Sequence, residues 1–411
     1  MIRWQAFIKE KNKLSTLSSK FENKRVLLWG YGREGKSSER FLNLYCNPAC
    51  VEVFEGKRDD LPIDDFDYVI KSPGVPYIYT DEPKITSQTQ MFLEEFAAQT
   101  IGITGTKGKS TTTSMLYKVL KDCLPSKVCL LGNIGLPCLD YYEDMKNGAV
   151  GVYEMSCHQL ANNTLSPHVA IFLNLFEDHL DYYKTRDRYF EAKAHIAYFQ
   201  KEDDYLFVGE TVPNIKTDAR VIKVDAFDEE RYKLNVLGNH NQWNAEVVKS
   251  VATLVYGCDE DQVKKSLESF TGLPHRLEKF KTIGDVKFFD DSISTIPEAT
   301  ISAIESVKDA KTVIVGGMDR GIDYGPLIET IKERKDINFI LCYASGKRIL
   351  DFVKDCPNVQ YVEDLKTATD LSKKITAAGS IIMSPAAASY GYFKNFEERG
   401  DYFKECVALK P

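Results

Sequence analysis

Little in this chain of 411 residues ties it to a membrane, a nucleic acid or a secretory route. No apolar run approaches the roughly 18 residues that a membrane helix needs. The opening stretch Met1 to Glu10 lacks an apolar signal core and a small-residue cleavage site. Lys and Arg number 53 against 60 Asp and Glu, a net charge of −7, so there is no basic excess to hold a polyanion. The ten cysteines include no CxxC, which excludes a zinc ribbon and fits reduced thiols in the cytoplasm. Internal repeats and low-complexity tracts are absent. With 43% hydrophobic and 27% charged residues, neither a disordered chain nor a fibre is expected. What remains is a cytoplasmic protein too long for one core.

The chain restarts twice. Arg25-Val26-Leu27-Leu28-Trp29 reads as a buried strand running into Gly30-Tyr31-Gly32-Arg33-Glu34-Gly35, and Val51–Phe54 and Asp67–Ile70 follow as strands. Near residue 98 the pattern begins again with Thr100-Ile101-Gly102-Ile103, and after Pro274-His275-Arg276 a third set carries Thr312–Val315 and Phe339–Cys342. Strands alternating with helical stretches predict parallel sheets with crossover helices. The reading is α/β, with domains at 1–97, 98–274 and 275–411.

The most informative stretch is Gly102-Ile103-Thr104-Gly105-Thr106-Lys107-Gly108-Lys109-Ser110-Thr111-Thr112. Strand, glycine turn, Lys-Ser and helix start together surround an anion with backbone N–H groups and a helix N-terminus. Lys109 would reach the outer phosphates of ATP and the Ser110 hydroxyl would hold Mg²⁺. The strict GxxxxGK[ST] spacing fails, because Ile103 stands where the pattern wants Gly. The plain alternative is a tight glycine turn between strand and helix.

That variant loop resembles the phosphate loop of the Mur ligases, which build the peptide of bacterial cell-wall precursors. Further motifs of that family follow in order: Gly132-Asn133-Ile134-Gly135, Glu154-Met155-Ser156-Cys157-His158-Gln159-Leu160 and Asn174-Leu175-Phe176-Glu177-Asp178-His179-Leu180-Asp181. Tyr189 to Ile196 is next, with Lys193 inside it, and then Gly238-Asn239-His240-Asn241-Gln242-Trp243-Asn244-Ala245 and Pro274-His275-Arg276. The last third adds Asp291-Ser292, Gly316 to Gly321, Ser384 to Ser389, and Lys394-Asn395-Phe396-Glu397-Glu398-Arg399-Gly400. The closing motif resembles the glutamate-adding branch.

The resemblance implies a three-domain architecture: a Rossmann-like N-terminal domain for UDP, a P-loop ATPase central domain and a Rossmann-like C-terminal domain for glutamate. It implies a monomeric, cytoplasmic, ATP-dependent carboxylate–amine ligase. The activity implied is addition of glutamate, D-glutamate first, to UDP-N-acetylmuramoyl-L-alanine through an acyl phosphate, with release of ADP and phosphate. Such chemistry serves peptidoglycan synthesis, and through it cell shape and division.

Residue by residue, the resemblance assigns ATP to Gly105, Thr106, Lys107, Gly108, Lys109, Ser110 and Thr111. Asn241 and Asn244, three apart on one helix face, would lie near the adenine, and Arg276 and Asp291 would reach the nucleotide from the last domain. Two Mg²⁺ sites would use Ser110, Glu154, His179 and Lys193, the last carbamylated by CO₂; Lys109, Glu154, His179 and Lys193 are the catalytic set. The UDP substrate falls to Gly32, Arg33, Glu34, Glu55, Lys57, Ser72, Pro73, Gly74, Asn133, Ser156 and His158. Glutamate falls to Thr295, Arg320, Ser389 and Phe396.

Several of these have plainer readings. Glu154 ends an apolar strand, where a solvated or capping carboxylate is the plainer reading, and Asp291 also ends a strand. Thr295-x-x-Glu298 with Pro297 reads as a capping box. All six histidines fall between 158 and 275, which favours site use for several. Cys157 and His158 imitate a thiol pair, but adjacent residues are expected to project apart.

Departures from the family are specific. Arg33-Glu34 replaces a Leu-Thr pair, Ile293 stands where the glutamate pocket has a Lys, and Tyr390 replaces a small apolar residue. The Asp-Ser-Ile-x-Thr version also resembles a branch that adds L-glutamate, so the stereochemistry stays open. A folylpolyglutamate-synthase-like ligase is a further reading, though the Ser72-Pro73-Gly74 loop argues against it. An oxidoreductase using Gly30-x-Gly32-x-x-Gly35 with Glu55 would leave Lys109, Lys193 and the last domain unused. A nucleotide-gated binding module would bind ATP without turnover.

Overall fold

The computed structural model describes residues 17–76, 82–178, 180–224, 231–236 and 239–409. Three sheets organise them. The first has the order β2-β1-β3-β4, from β1 (Arg25–Trp29), β2 (Cys50–Phe54), β3 (Tyr68–Lys71) and β4 (Ile85–Thr86), all parallel. The second is also parallel, in the order β10-β9-β8-β5-β7-β6. Its strands are β5 (Thr100–Thr104), β6 (Val128–Gly132), β7 (Val150–Glu154), β8 (Val169–Phe172), β9 (Tyr205–Val208) and β10 (Arg220–Lys223). The third runs β11-β12-β16-β13-β14-β15, from β11 (Glu278–Ile283), β12 (Val286–Asp290), β13 (Ala310–Gly316), β14 (Asn338–Cys342), β15 (Val359–Val362) and β16 (Gly379–Met383). Only β11 pairs antiparallel there.

Continuous apolar runs explain the central strands. β5, β7 and β8 are buried along their whole length, as strands covered by helices on both faces must be. Among the described residues, no helix is long and apolar enough to cross a membrane.

The chain divides into two compact units, residues 1–233 with 239–268, and residues 234–238 with 269–411. The first and second sheets therefore share one unit, and the reason is packing. One apolar cluster continues from Val26, Leu28 and Phe41 to Tyr142, Tyr153 and Phe172. Phe41 and Phe96 both meet the Tyr142 ring edge-on, at 4.8 and 5.5 Å between centroids, and Phe92 meets Tyr153 at 5.9 Å. In the second unit, separate apolar clusters cover the two faces of the third sheet, built around Phe339 and Leu341 on one side and Ile340 and Phe403 on the other.

Sheet order fixes where chemistry can occur. In the second sheet β5 lies between β7 and β8, so the chain leaves β5 and its neighbours at a switch point, where parallel sheets open a crevice beyond their carboxyl ends. Glu154 closes β7 opposite Ile103 of β5, and Asn174 follows β8 by two residues.

Candidate active site

The glycine turn after β5 is held open by backbone geometry. Gly105 and Gly108 have φ of 155° and 82°, and Gly108 is followed directly by the helix Lys109–Cys123. A Cβ on Gly108 would lie 3.4 Å from the Asn244 amide, in ordinary contact, so the helix Asn239–Leu254 sits against the loop. Asn244 donates to Asn241 Oδ1 at 3.0 Å, which confirms the shared face.

Asn174, not assigned a role from sequence, fastens the loop. Its side-chain oxygen accepts from the N–H groups of Thr106 (3.1 Å) and Lys107 (2.9 Å), and its amide donates to Lys107 O at 3.0 Å. Its only sequence signal is membership of the Asn174-to-Asp181 motif. Asn174→Ala is expected to raise the KM for ATP about a hundredfold, since three lost bonds at about 1 kcal/mol each come to about 3 kcal/mol; steady-state phosphate release at varied ATP checks this.

Two lysines converge on one oxygen. Lys109 Nζ donates to Gly105 O at 2.9 Å and to Thr106 O at 3.0 Å, while Lys193 Nζ donates to the same Gly105 O at 2.9 Å. Lys193 is only 1% exposed and lies 4.7 Å from the centre of the Tyr189 ring. Burial draws its ammonium down to about 7, and Lys109 beside it adds to the fall. Burial also lowers Lys109, against the opposing pull of Glu154. Glu154 is buried at the end of β7, and Ser110 donates its hydroxyl to Glu154 Oε1 at 3.2 Å. His179 lies outside the described residues.

A carboxylate and a hydroxyl together supply hard oxygen donors, the kind Mg²⁺ prefers. Beside them is an amine with a depressed pKa, the form that reacts with CO₂. The residues present thus fit the implied group. The one tight His/acid cluster among the described residues is elsewhere, at His275, Glu278 and Asp290. There Lys404 Nζ already stands 2.7 Å from Glu278 and 3.4 Å from Asp290, so a cation is built in.

Two adjoining cavities lead away from the loop. One of about 470 Å³ touches Lys109, Lys193, Asn133, Ser156, His158, Pro73 and Gly74. The other, about 510 Å³, shares Pro73, Gly74 and Asn133 and continues to Gly32, Arg33, Glu34, Glu55 and Ser72. The carboxyl ends of β1, β2 and β3 bring these last residues together: Ser72 Oγ donates to Gly30 O at 2.8 Å, and Gly30 N donates to Phe54 O at 2.9 Å. Arg33 reaches Gly135 O at 2.7 Å. Lys57 is exposed and does not line either cavity.

In the second unit Arg320 donates to Thr295 O at 3.1 Å. Ser389 is buried, and Phe396 lies 6.1 Å from His275 between ring centres. Arg276 is exposed, whereas Asp291 is buried and accepts from Leu277 N (2.9 Å) and Ser384 Oγ (2.7 Å), which fits its strand-end role. Burial pushes the Asp291 carboxyl up to about 6.

Two sequence readings need correction. The capping box at Thr295 does not form: the helix Pro297–Ser306 starts after Ile296, without a side-chain cap. Cys157 and His158 do not project apart, because Ser156 caps the short helix Cys157–Leu160 in a geometry that leaves Sγ 3.6 Å from Nδ1. Of the six clustered histidines, His158 lines the cavity beside Lys109 and Lys193, while three others are satisfied locally. His168 bonds Asp204 at 2.7 Å, His195 bonds Asn163 O at 2.6 Å and His275 bonds Asp290 at 2.7 Å, each satisfying a local polar group.

A family model described as the Mur ligase middle domain matches residues 103–227. The UDP-N-acetylmuramoylalanine–D-glutamate ligase of Oenococcus oeni is 30% identical, over 94% of this chain and 97% of the relative. The UDP-N-acetylmuramoyl-L-alanine–L-glutamate ligase of Salinispora tropica is 31% identical, over 95% and 98%. Among solved structures, a UDP-N-acetylmuramoyl-L-alanyl-D-glutamate–2,6-diaminopimelate ligase superposes with a TM-score of 0.58 at 16% identity, covering 96% of this chain and 94% of that one. At that identity the likeness speaks for the fold.

Proposed function

Because the chain belongs to the Mur ligase family, we propose that it joins glutamate, D-glutamate by preference, to UDP-N-acetylmuramoyl-L-alanine at the expense of ATP. The observation that carries this reading is the pair of adjoining cavities, one lined by Gly30 and Gly32 and the other by Lys109 and Lys193, that share Pro73, Gly74 and Asn133. On this reading residues 1–97 hold the UDP end, 98–274 the ATP and 275–411 the glutamate, in a cytoplasmic monomer serving cell-wall synthesis and division.

An amide cannot form directly from a carboxylate, because oxide is not a leaving group. The alanyl carboxylate oxygen takes the γ-phosphoryl group of ATP and ADP leaves. The glutamate nitrogen then attacks the acyl carbon, the C–O bond to phosphate breaks, and the amine gives up a proton. Lys109 steers the γ-phosphoryl group toward the incoming carboxylate and stabilises the charge between two anions. Ser110 and Glu154, with His179, would hold Mg²⁺, which when bound screens the phosphate charge. Carbamylation of Lys193 would turn the second ammonium on Gly105 O into an anion. That change removes a like-charge contact with Lys109 and adds an oxygen donor next to Glu154. Arg320 and Thr295, with Ser389 and Phe396, would receive the amino acid.

The test is phosphate release from Mg-ATP and UDP-N-acetylmuramoyl-L-alanine, with D-glutamate and L-glutamate in parallel. Turnover with D-glutamate alone is expected. Turnover with L-glutamate alone would assign the chain to the chemistry named for the Salinispora relative, and Ile293, half-buried in the turn that leads to Thr295, would be the first position to exchange. Silence with both would overturn the reading.

A further inference from the structure

Glu34 is out of keeping with the site it lines. It occupies the first turn of the helix Arg33–Tyr45, directly after the glycine turn, where an N-terminus attracts an anionic ligand. It borders the 510 Å³ cavity and, on its other side, a separate cavity of about 340 Å³. A carboxylate here would repel the diphosphate that the proposed function brings to this turn. Yet its surroundings are poorly made for a carboxylate. Oε1 accepts one bond, from Gln159 Nε2 at 2.7 Å, while Oε2 is shielded from solvent and has no hydrogen-bond partner among the described residues. A desolvated oxygen without a donor favours the neutral acid.

Resting on the proposed function, we infer that Glu34 takes up a proton when the UDP-linked substrate enters, so that a neutral carboxyl and not a carboxylate faces the diphosphate. The groups around it are few in kind. Lys71, at the end of β3, is buried and donates to Ser72 O at 3.3 Å, and Arg33 is its exposed neighbour in the turn. Gln159 and His158 face it from the helix Cys157–Leu160, and Gln88 donates to its main-chain oxygen at 3.1 Å. Tyr153, in β7, and Cys138, in the 3-10 turn Cys138–Tyr141 after β6, are buried near it. Glu55 lies across the larger cavity, and Lys20, Glu82 and Glu94 line the smaller one.

The direction follows from charge. Burial raises the Glu34 carboxyl to about 7, against the donation from Gln159 and the charge of Lys71. Below that value the acid is already neutral and substrate binding moves no proton. Above it the free site is ionised, so the entering anion draws a proton from solvent and affinity falls with pH, by up to about tenfold per unit. Lys71, lowered to about 8 by burial, titrates nearby and needs its own control.

The experiment is calorimetric binding of UDP-N-acetylmuramoyl-L-alanine without ATP, in buffers of different ionisation enthalpy, at about pH 6, 7 and 8. Its diphosphate is esterified at both ends and carries no proton of its own in this range. Expected for the parent protein is uptake near zero at the lowest pH, rising toward one proton at the highest. Glu34→Gln should bind with no uptake and a flat pH dependence, whereas Lys71→Met, which removes a charge that holds the Glu34 carboxyl down, should keep the uptake but shift its onset to higher pH. Binding without uptake at the highest pH overturns the inference, as does uptake that survives Glu34→Gln. Failure of the parent protein to bind at any pH would instead overturn the functional reading.

Discussion

Lys193→Ala is expected to lower ligase turnover by at least about a hundredfold, the scale seen when one preorganised electrostatic group is lost from a reacting centre. Short carboxylic acids such as acetate should restore part of it. The argument starts from Gly105 O, which accepts from Lys109 and Lys193 at 2.9 Å each. Two ammonium groups on one carbonyl in a buried site repel each other, and on the proposed function Lys109 is the one that meets phosphate. Lys193 is the one whose burial is nearly complete, so it is the one that can exist as a free amine near neutral pH and take up CO₂. If the resulting anion is what the site needs, a small carboxylate filling the space left by alanine supplies it. Lys193→Arg should be as inactive as Lys193→Ala and unresponsive to acetate, because a guanidinium keeps its charge and fills the space. Steady-state phosphate release with and without acetate decides the matter. Full activity in the plain alanine variant would remove the carbamate from the chemistry.

What the sequence made legible was whatever is local. The phosphate loop could be read because strand, glycines, Lys109 and Ser110 are consecutive, and β1 and β5 appear where apolar runs meet glycine turns. Asn241 and Asn244 could be paired because helical spacing alone sets their common face. Asn174 was hidden: its three bonds go to Thr106 and Lys107, almost seventy residues away in the chain, and nothing near it announces them. The capping box at Thr295 failed for a related reason, since Thr295 gives its carbonyl to Arg320 and the helix begins later, at Pro297. The histidine cluster separates in space: His158 lines the cavity beside Lys109 and Lys193, while others do not. His168 and His275 each sit beside an aspartate that closes a local polar gap. Composition also gave no sign that one apolar cluster would bridge the first and second sheets, because Phe41, Phe96 and Tyr142 look like three ordinary core residues until they meet.

Arg399→Ala is expected to destabilise the second unit by about 3–5 kcal/mol, the cost of breaking a buried, fully bonded charged group. Arg399 was quoted from sequence only as part of the closing motif, but the structure makes it a hub of that unit's interior. Its side chain is 1% exposed. Nε donates to Ser292 Oγ at 3.0 Å, Nη1 to Ala387 O at 2.9 Å and Nη2 to Ser292 O at 2.8 Å. Ser292 in turn donates to Phe396 O at 2.8 Å and its N–H reaches Asp290 Oδ1 at 3.0 Å. One planar fork therefore ties the turn after β12 to the segment after β16 and to the helix Phe396–Ala408. Removing it strands two main-chain oxygens in the interior. Lysine cannot replace it, since a single ammonium has no fork to span Ser292 and Ala387. Gly400 beside it leaves no alternative arrangement, because any side chain there would overlap His275 Nδ1 and press on Asp290 Oδ2. Denaturant unfolding should show the loss for Arg399→Ala and Arg399→Lys alike, while Arg276→Ala, at an exposed position, should stay within about 0.5 kcal/mol of the parent. An Arg399→Lys variant as stable as the parent would mean that charge alone, not the fork, holds the three segments. Thr295, Ser389 and Phe396, which are proposed to receive glutamate, would then owe their arrangement to something other than this contact.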